Sequence, residues 1–230
     1  MCINIDRTVY CEDALAWLSS NDILSSSSLV ASMPDISEFP HFSPAEWKAW
    51  FTETASLILS RTPNEGVTIF YQSDIKNHGE WIDKGYLCQK AAENLGHALL
   101  WHKIVCRTAP GMATFGRPAY SHLLCFSKEL RLTDLSKSSP DVIPELGEKT
   151  WERGMGLSTG LFIAKFILEQ TKTRTVVNPF CGEGSMLAAA NAIGLHAIGI
   201  ERSPKRAEKS RHLGVTEDHK NWMQLNLKSV

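Results

Sequence analysis

Short, largely apolar runs alternate along the chain with longer stretches in which apolar residues return near helical spacing. The runs at 8–11, 29–32, 67–71, 98–105, 121–126, 175–177 and 197–200 predict strands. The periodic stretches at 13–19, 44–60, 82–95, 158–170 and 186–193 predict helices between most of them. Ser43-Pro44 with Glu46 close behind is a good helix start. In that helix Trp47, Phe51, Ile58 and Leu59 recur near one face and are expected in the core. Ser25 to Ser28 is the one low-complexity run and reads as a loop. Strands alternating with helices imply an α/β fold, a mostly parallel sheet covered on both faces. The runs at 98–105 and 121–126 have no helix between them, which predicts an antiparallel hairpin at one edge.

Composition narrows this picture only slightly. The 230 residues are 43% hydrophobic, an ordinary share for a chain with a real core, and the length fits one domain. A formal net charge of −1 gives no global attraction to a polyanion, so any nucleic-acid contact must come from local basic patches. The six cysteines form no CxxC pair and no Cys/His cluster at zinc spacing, so no metal is expected. Scattered thiols of this kind, without a signal-like or membrane-spanning run, imply a cytoplasmic protein with no membrane partner.

The chemistry is concentrated near residue 180. The strand ending Val176-Val177 runs into Asn178-Pro179-Phe180-Cys181-Gly182-Glu183-Gly184-Ser185 and then a helix; a second apolar strand, Ala197-Ile198-Gly199-Ile200, ends on Glu201. Glycines let a backbone turn tightly and approach a ligand closely. An acid at the tip of the next strand is placed to accept hydrogen bonds from ribose hydroxyls. Strand, glycine loop, helix, strand and acid together define a nucleoside cofactor site. Leu187 stands where a dinucleotide fingerprint has its third glycine, which makes a nicotinamide oxidoreductase a distant reading.

This loop resembles the Asp-Pro-Phe-x-Gly-x-Gly-Ser/Thr loop of S-adenosylmethionine-dependent amino-methyltransferases acting on nucleic acids, with Asn178 in place of the usual Asp. The resemblance implies a Rossmann-like methyltransferase sheet with S-adenosylmethionine held by the Asn178–Ser185 loop and its ribose by Glu201, followed by Arg202. Because the loop comes late, the chain is similar to the circularly permuted group, with a catalytic half at 1–130, a linker at 131–150 and a cofactor-loop half at 151–230. Asp13 and Ala14, after the first strand, then match the segment that receives the adenine amino group. The segment Arg153-Gly154-Met155-Gly156-Leu157-Ser158-Thr159 takes the place of the one that helps hold the methionine carboxylate. Met155, Ser158 and Thr159 are its expected contacts. Midway along the chain, Leu100-Trp101-His102-Lys103 and the run from Tyr120 to Lys128 resemble the family's Trp-x-Lys strand and its returning strand.

The family's catalytic quartet is Asp/Asn/Ser-Pro-Pro-aromatic, and here the sequence reads Ser32-Met33-Pro34-Asp35. An exocyclic amine is a poor nucleophile because its lone pair is delocalised; acceptors at the first side chain and the second carbonyl draw it towards tetrahedral geometry. The aromatic normally stacks on the flipped base. Asp35 replaces it, so Phe39, His41 or Phe42 would have to supply a platform. Asp35 then reads in two ways, as a general base towards a ring nitrogen or hydroxyl, or as a turn cap or ion-pair partner. Tyr71, Gln72 and Asp74 at the end of one strand, and Arg107, Phe115 and Arg117 in the hairpin loop, are candidate substrate contacts. The leading expectation is methyl transfer to a nucleic-acid base, with RNA slightly favoured over DNA. Transfer to a ring nitrogen, hydroxyl or small molecule stays open, as does a non-catalytic subunit of an RNA-modifying complex that needs a partner protein. The oligomeric state is left open.

Overall fold

The computed structural model describes residues 5–152 and 154–215. Arg153 and Cys2, and the end of the 151–230 half, lie outside them. In chain order the strands are β1 (Arg7–Tyr10), β2 (Ser27–Ala31), β3 (Thr68–Gln72), β4 (Ile75–Asn77), β5 (Glu80–Ile82), β6 (Ala98–Cys106), β7 (Tyr120–Ser127), β8 (Val142–Ile143), β9 (Thr175–Asn178) and β10 (His196–Ile200). The helices are α1 (Ala14–Ser20), α2 (Pro44–Arg61), α3 (Lys84–Asn94), α4 (Leu157–Gln170), α5 (Ser185–Ala192) and α6 (Pro204–His212). Eight strands among the described residues form one sheet in the order β1-β10-β9-β2-β3-β7-β6-β8, and β4 and β5 form a small separate hairpin. Strands β1, β10, β9, β2 and β3 are parallel, whereas β7 runs antiparallel to both β3 and β6.

The α/β class, the parallel sheet and the antiparallel hairpin agree with the sequence reading. The hairpin stops one strand short of the edge, because β8 from the 131–150 segment pairs with β6. Alternation along each strand sends residues to two cores. Val30, Val176, Ile69 and Leu123 face one layer with α4 and α5. Leu29, Val177, Phe70 and Leu124 face the other with α1, α2 and α3. Trp47, Phe51, Ile58 and Leu59 are fully buried there, as the stripe predicted. No helix among the described residues is long and apolar enough to cross a membrane.

Three departures have local causes. Ile82 closes the β4–β5 hairpin rather than opening a helix, because Asp83 caps α3 by accepting the Tyr86 amide at 2.8 Å. The hairpin turns at His78 and Gly79, both left-handed at φ 49° and 83°. Ser27 and Ser28 belong to β2 and not to a loop. The buried Ser28 hydroxyl lies 2.8 Å from Thr173 Oγ1 and accepts the Val67 amide at 3.2 Å, so one side chain ties β2 to the entries of both neighbouring strands. We expect Ser28→Ala to lower stability by roughly 1–3 kcal/mol, the cost of a buried unpaired donor, since it strands the Val67 N–H. Urea unfolding checks this; a change within a few tenths would show that the clamp is not needed.

Candidate functional site

The turn from β9 into α5 is held by its own backbone. Asn178 Oδ1 accepts the Phe180 amide at 3.1 Å, and the Cys181 amide donates to the Ile200 carbonyl at 3.0 Å. The chain then passes through left-handed conformations at Gly182 (φ 56°) and Gly184 (φ 92°), which favour glycine. The two glycines have different neighbours. A Cβ on Gly182 would come within 2.8 Å of the Trp151 ring, inside the cavity, whereas one on Gly184 would meet Ser210 of α6 at 2.8 Å. Gly184 therefore serves helix packing and does not line the cavity.

The cavity itself, about 230 Å³, is bordered by Asp13, Ala14, Met155, the Asn178–Gly182 turn, Ser185, Glu201 and Arg202 on one side. Ser32, Met33, Pro34, Asp35, Phe39, Tyr71, Gln72, Arg107 and Arg117 border it on the other. Glu201 is buried at the end of β10; its Oε1 accepts the Ser203 amide at 2.8 Å and lies 3.8 Å from Arg206 Nη1. Asp13 caps α1, with Oδ1 accepting the Leu15 and Ala16 amides at 3.0 Å. Burial pushes the Cys181 thiol up to about 12, which keeps it out of nucleophilic chemistry.

The Ser32–Asp35 quartet follows β2. Met33 is buried in the core beside α2, while Asp35 reaches two cations. Asp35 Oδ2 lies 3.6 Å from Lys84 Nζ and 3.3 Å from Arg117 Nη2, and the Asp35 amide donates to Glu38 Oε1. The side chain thus stands as a turn-start and ion-pair residue. Lys84 is nearly fully buried, with its ammonium 5.6 Å from the Trp47 ring centre. Desolvation drives the Lys84 amine below its usual value, Asp35 opposes this, and Arg117 adds to it. No motif announced Lys84; the signal in the sequence is a lysine at the first position of a helix after Asp83. Trp151, Lys149 and Arg206 also border the cavity without having been singled out. Arg206 sits 5.0 Å over the Trp151 ring.

Besides Gly184, four expected contacts lie outside the cavity. Asp74 is buried beneath α3, where Oδ1 accepts the Lys84 amide at 2.9 Å and Oδ2 accepts Trp81 Nε1 and faces His122 Nε2, both at 3.0 Å. Burial alone would raise the Asp74 carboxyl, but His122, Trp81 and the Lys84 amide hold it below the usual range. Both its oxygens are engaged within the fold, and it is buried away from the cavity, so it is a scaffold residue rather than a substrate contact. Ser158 and Thr159 start α4, where two of the amides a carboxylate would need are already taken. Leu157 N–H donates to Glu148 O at 2.8 Å and Thr159 N–H to Leu146 O at 3.2 Å. Phe115 projects from the 107–119 loop, 94% exposed.

No protein-family model matches the chain, and no curated protein matches its sequence. Solved structures do share its fold. One is TTHA0409 of Thermus thermophilus, provisionally named a DNA modification methylase, at 18% identity and TM-score 0.66 over 90% of this chain and 92% of that one. A second is the cytosine-N4-specific PvuII DNA methyltransferase, at 17% identity and TM-score 0.70 over 96% and 91%. A third is M1.HpyAVI in complex with SAM, at 13% identity and TM-score 0.61 over 89% and 98%. The fold is therefore the Rossmann-like α/β sheet of these methyltransferases.

The lowered Lys84 value has a sign that can be checked. Between its folded value and the unfolded one near 10.5, the unfolded chain binds the extra proton, so stability rises with pH across that window. Asp35→Asn removes the group that opposes the depression. The rise should then begin at lower pH, and the variant should lose stability below it. Thermal unfolding of both proteins across neutral to alkaline pH measures this, and superimposable profiles would refute the pairing.

Proposed function

We propose that the protein is an S-adenosylmethionine-dependent methyltransferase acting on an amino group of a DNA base. The observation that carries this reading is the cavity that joins Glu201 and the glycine turn to Ser32 and Pro34. The residues suit the cofactor: Gly182 keeps the cavity wall free of a Cβ, and the buried Glu201 carboxylate retains acceptor capacity for ribose hydroxyls beyond the one amide it receives. Asp13 at the same end suits the adenine amino group. When bound, S-adenosylmethionine supplies an electrophilic methyl group.

The chain's own contribution is to position the amine. Ser32 and the Met33 carbonyl are the acceptors for its hydrogens, which concentrates the nitrogen lone pair towards the methyl group and receives the developing positive charge. Phe39 borders the cavity and stacks on Phe42 at 5.1 Å, backed by Trp50 at 4.4 Å, so an aromatic face is present although the quartet has lost its own. Asp35 held by Lys84 and Arg117 favours the amine over nucleophiles that need a free carboxylate base. DNA is put ahead of RNA because the similar structures carry the names of DNA methyltransferases, and the sequence-based preference for RNA finds no support among them. The order of the chain, quartet before glycine turn, is read as circular permutation within one domain.

A second reading, a non-catalytic subunit, is favoured by Asp35 standing where the stacking aromatic belongs. Calorimetric titration with S-adenosylmethionine, followed by transfer of labelled methyl to DNA and RNA, separates the two. Binding with transfer to DNA supports the proposal; binding without transfer to either supports the subunit; no binding refutes both cofactor assignments. Glu201→Gln should weaken cofactor binding by roughly 1.5–3 kcal/mol, the scale of a hydrogen bond to a charged group, while the protein stays folded. An unchanged dissociation constant removes Glu201 from the ribose site.

A further inference from the structure

Three cations border the cavity: Arg107, Arg117, which pairs with Asp35 at 3.3 Å, and Lys149, whose ammonium donates to the Glu152 carbonyl at 3.1 Å. Burial lowers the Lys149 amine, the charges of Arg107 and Arg117 lower it further, and Glu152 opposes them. Arg107 Nη1 is buried without a hydrogen-bond partner among the described residues. A buried guanidinium N–H without an acceptor is costly, and a cluster of like charges around it is relieved by an anion.

The same loop leads outward to an aromatic edge. Phe115, two residues before Arg117, is the most exposed of the large apolar side chains among the described residues, at 94%. The β4–β5 hairpin lies beside it: Lys76 Nζ donates to the Thr114 carbonyl at 2.9 Å and lies 5.2 Å from the ring centre of Trp81, itself 50% exposed. Cations at a cavity mouth with flat, exposed rings beside them match a chain of phosphates and unstacked bases. An intact duplex hides its base faces and would leave both rings unmatched.

We propose that this rim grips an unpaired DNA strand, taking the phosphate next to the target nucleotide at Arg107, Arg117 and Lys149 and stacking a neighbouring base on Phe115. This rests on the DNA-methyltransferase reading and adds how the strand is held. Recognition of this kind places the target nucleotide opposite Ser32 only after it has left its pair, and it is tolerant of sequence because every base has a stacking face.

The test is fluorescence anisotropy with a labelled single-stranded DNA oligonucleotide of mixed sequence, set against its duplex, the same sequence in RNA, and free deoxynucleoside monophosphates. The single DNA strand should bind most tightly. Phe115→Ala should weaken it roughly 5- to 100-fold, the range for loss of one stacked base. Lys149→Gln should lower the slope of log affinity against log salt by about 0.7, one phosphate contact on a single strand. Calorimetric affinity for S-adenosylmethionine should stay unchanged in both variants. Wild-type affinity for the strand in both variants overturns the proposal, as does tighter binding of duplex, of RNA, or of free nucleotides. If methyl transfer to DNA occurs while the variants bind normally, the grip is wrong and the enzymatic reading stands. If the variants lose the strand but no methyl is transferred, the grip stands and the enzymatic reading fails.

Discussion

The parallel pairing of β2 with β9 is the contact on which the site depends. The two strands are separated by most of the chain, yet Ser28 lies opposite Val176 and Leu29 opposite Val177. That register brings the ends of both strands to the same edge, so the Ser32 quartet and the Asn178 turn face one cavity. Ligands in open α/β sheets bind beyond the carboxyl ends of the strands, where neighbouring connections diverge. Here β9 leads to α5 on one face, whereas β2 leads to α2 on the other. A slip of one residue would turn every side chain of β2 to the wrong layer. The Ser28 hydroxyl, bonded to Thr173 and to the Val67 amide, sits at the end of β2 away from the cavity and holds against that slip.

At the cavity end the decisive feature is charge. The Ser32–Asp35 quartet ends on a carboxylate, and it is matched by a buried lysine and a half-exposed arginine. Removing one member of a buried pair leaves an uncompensated charge, so Asp35 and Lys84 constrain each other. Phe39 and Trp50, in contact with each other at 4.4 Å, border the cavity as well. Arg107 and Lys149 add two further cations to the lining of the same cavity.

The fold was largely legible because its strands are apolar and its helices periodic; the glycine turn and Glu201 were legible because their spacing is set by a strand–turn–helix geometry. What the sequence concealed depends on side chains meeting across the chain. Lys84 looks like a solvated helix start until Trp47 and Asp35 are folded over it. Asp74 looks like a polar strand exit, yet its oxygens are consumed by groups at 81, 84 and 122. Ser158 and Thr159 stand at a helix start, but whether its amides are free depends on where Leu146 and Glu148 pack. The short strand β8 and the β4–β5 hairpin have too few residues for a periodicity to register.

The antiparallel hairpin, on the far side of β2 and β3 from the Asn178–Ser185 turn, nevertheless shapes the corner that holds Ser32–Asp35. His122 on β7 lies 2.8 Å from His102 on β6 through Nδ1 and 3.0 Å from Asp74 through Nε2. His122 Nε2 donates to the Asp74 carboxylate, and His122 Nδ1 and His102 Nε2 share one hydrogen bond, so the three groups form a single chain. Asp74 in turn receives the Lys84 amide, which sets where α3 begins and where the Lys84 side chain enters the core. From there the path runs by one ion pair to Asp35 and so to the quartet. An expected substrate contact is in this way the support of the residue that neutralises Asp35, and the hairpin's polar residues act on the site through position alone.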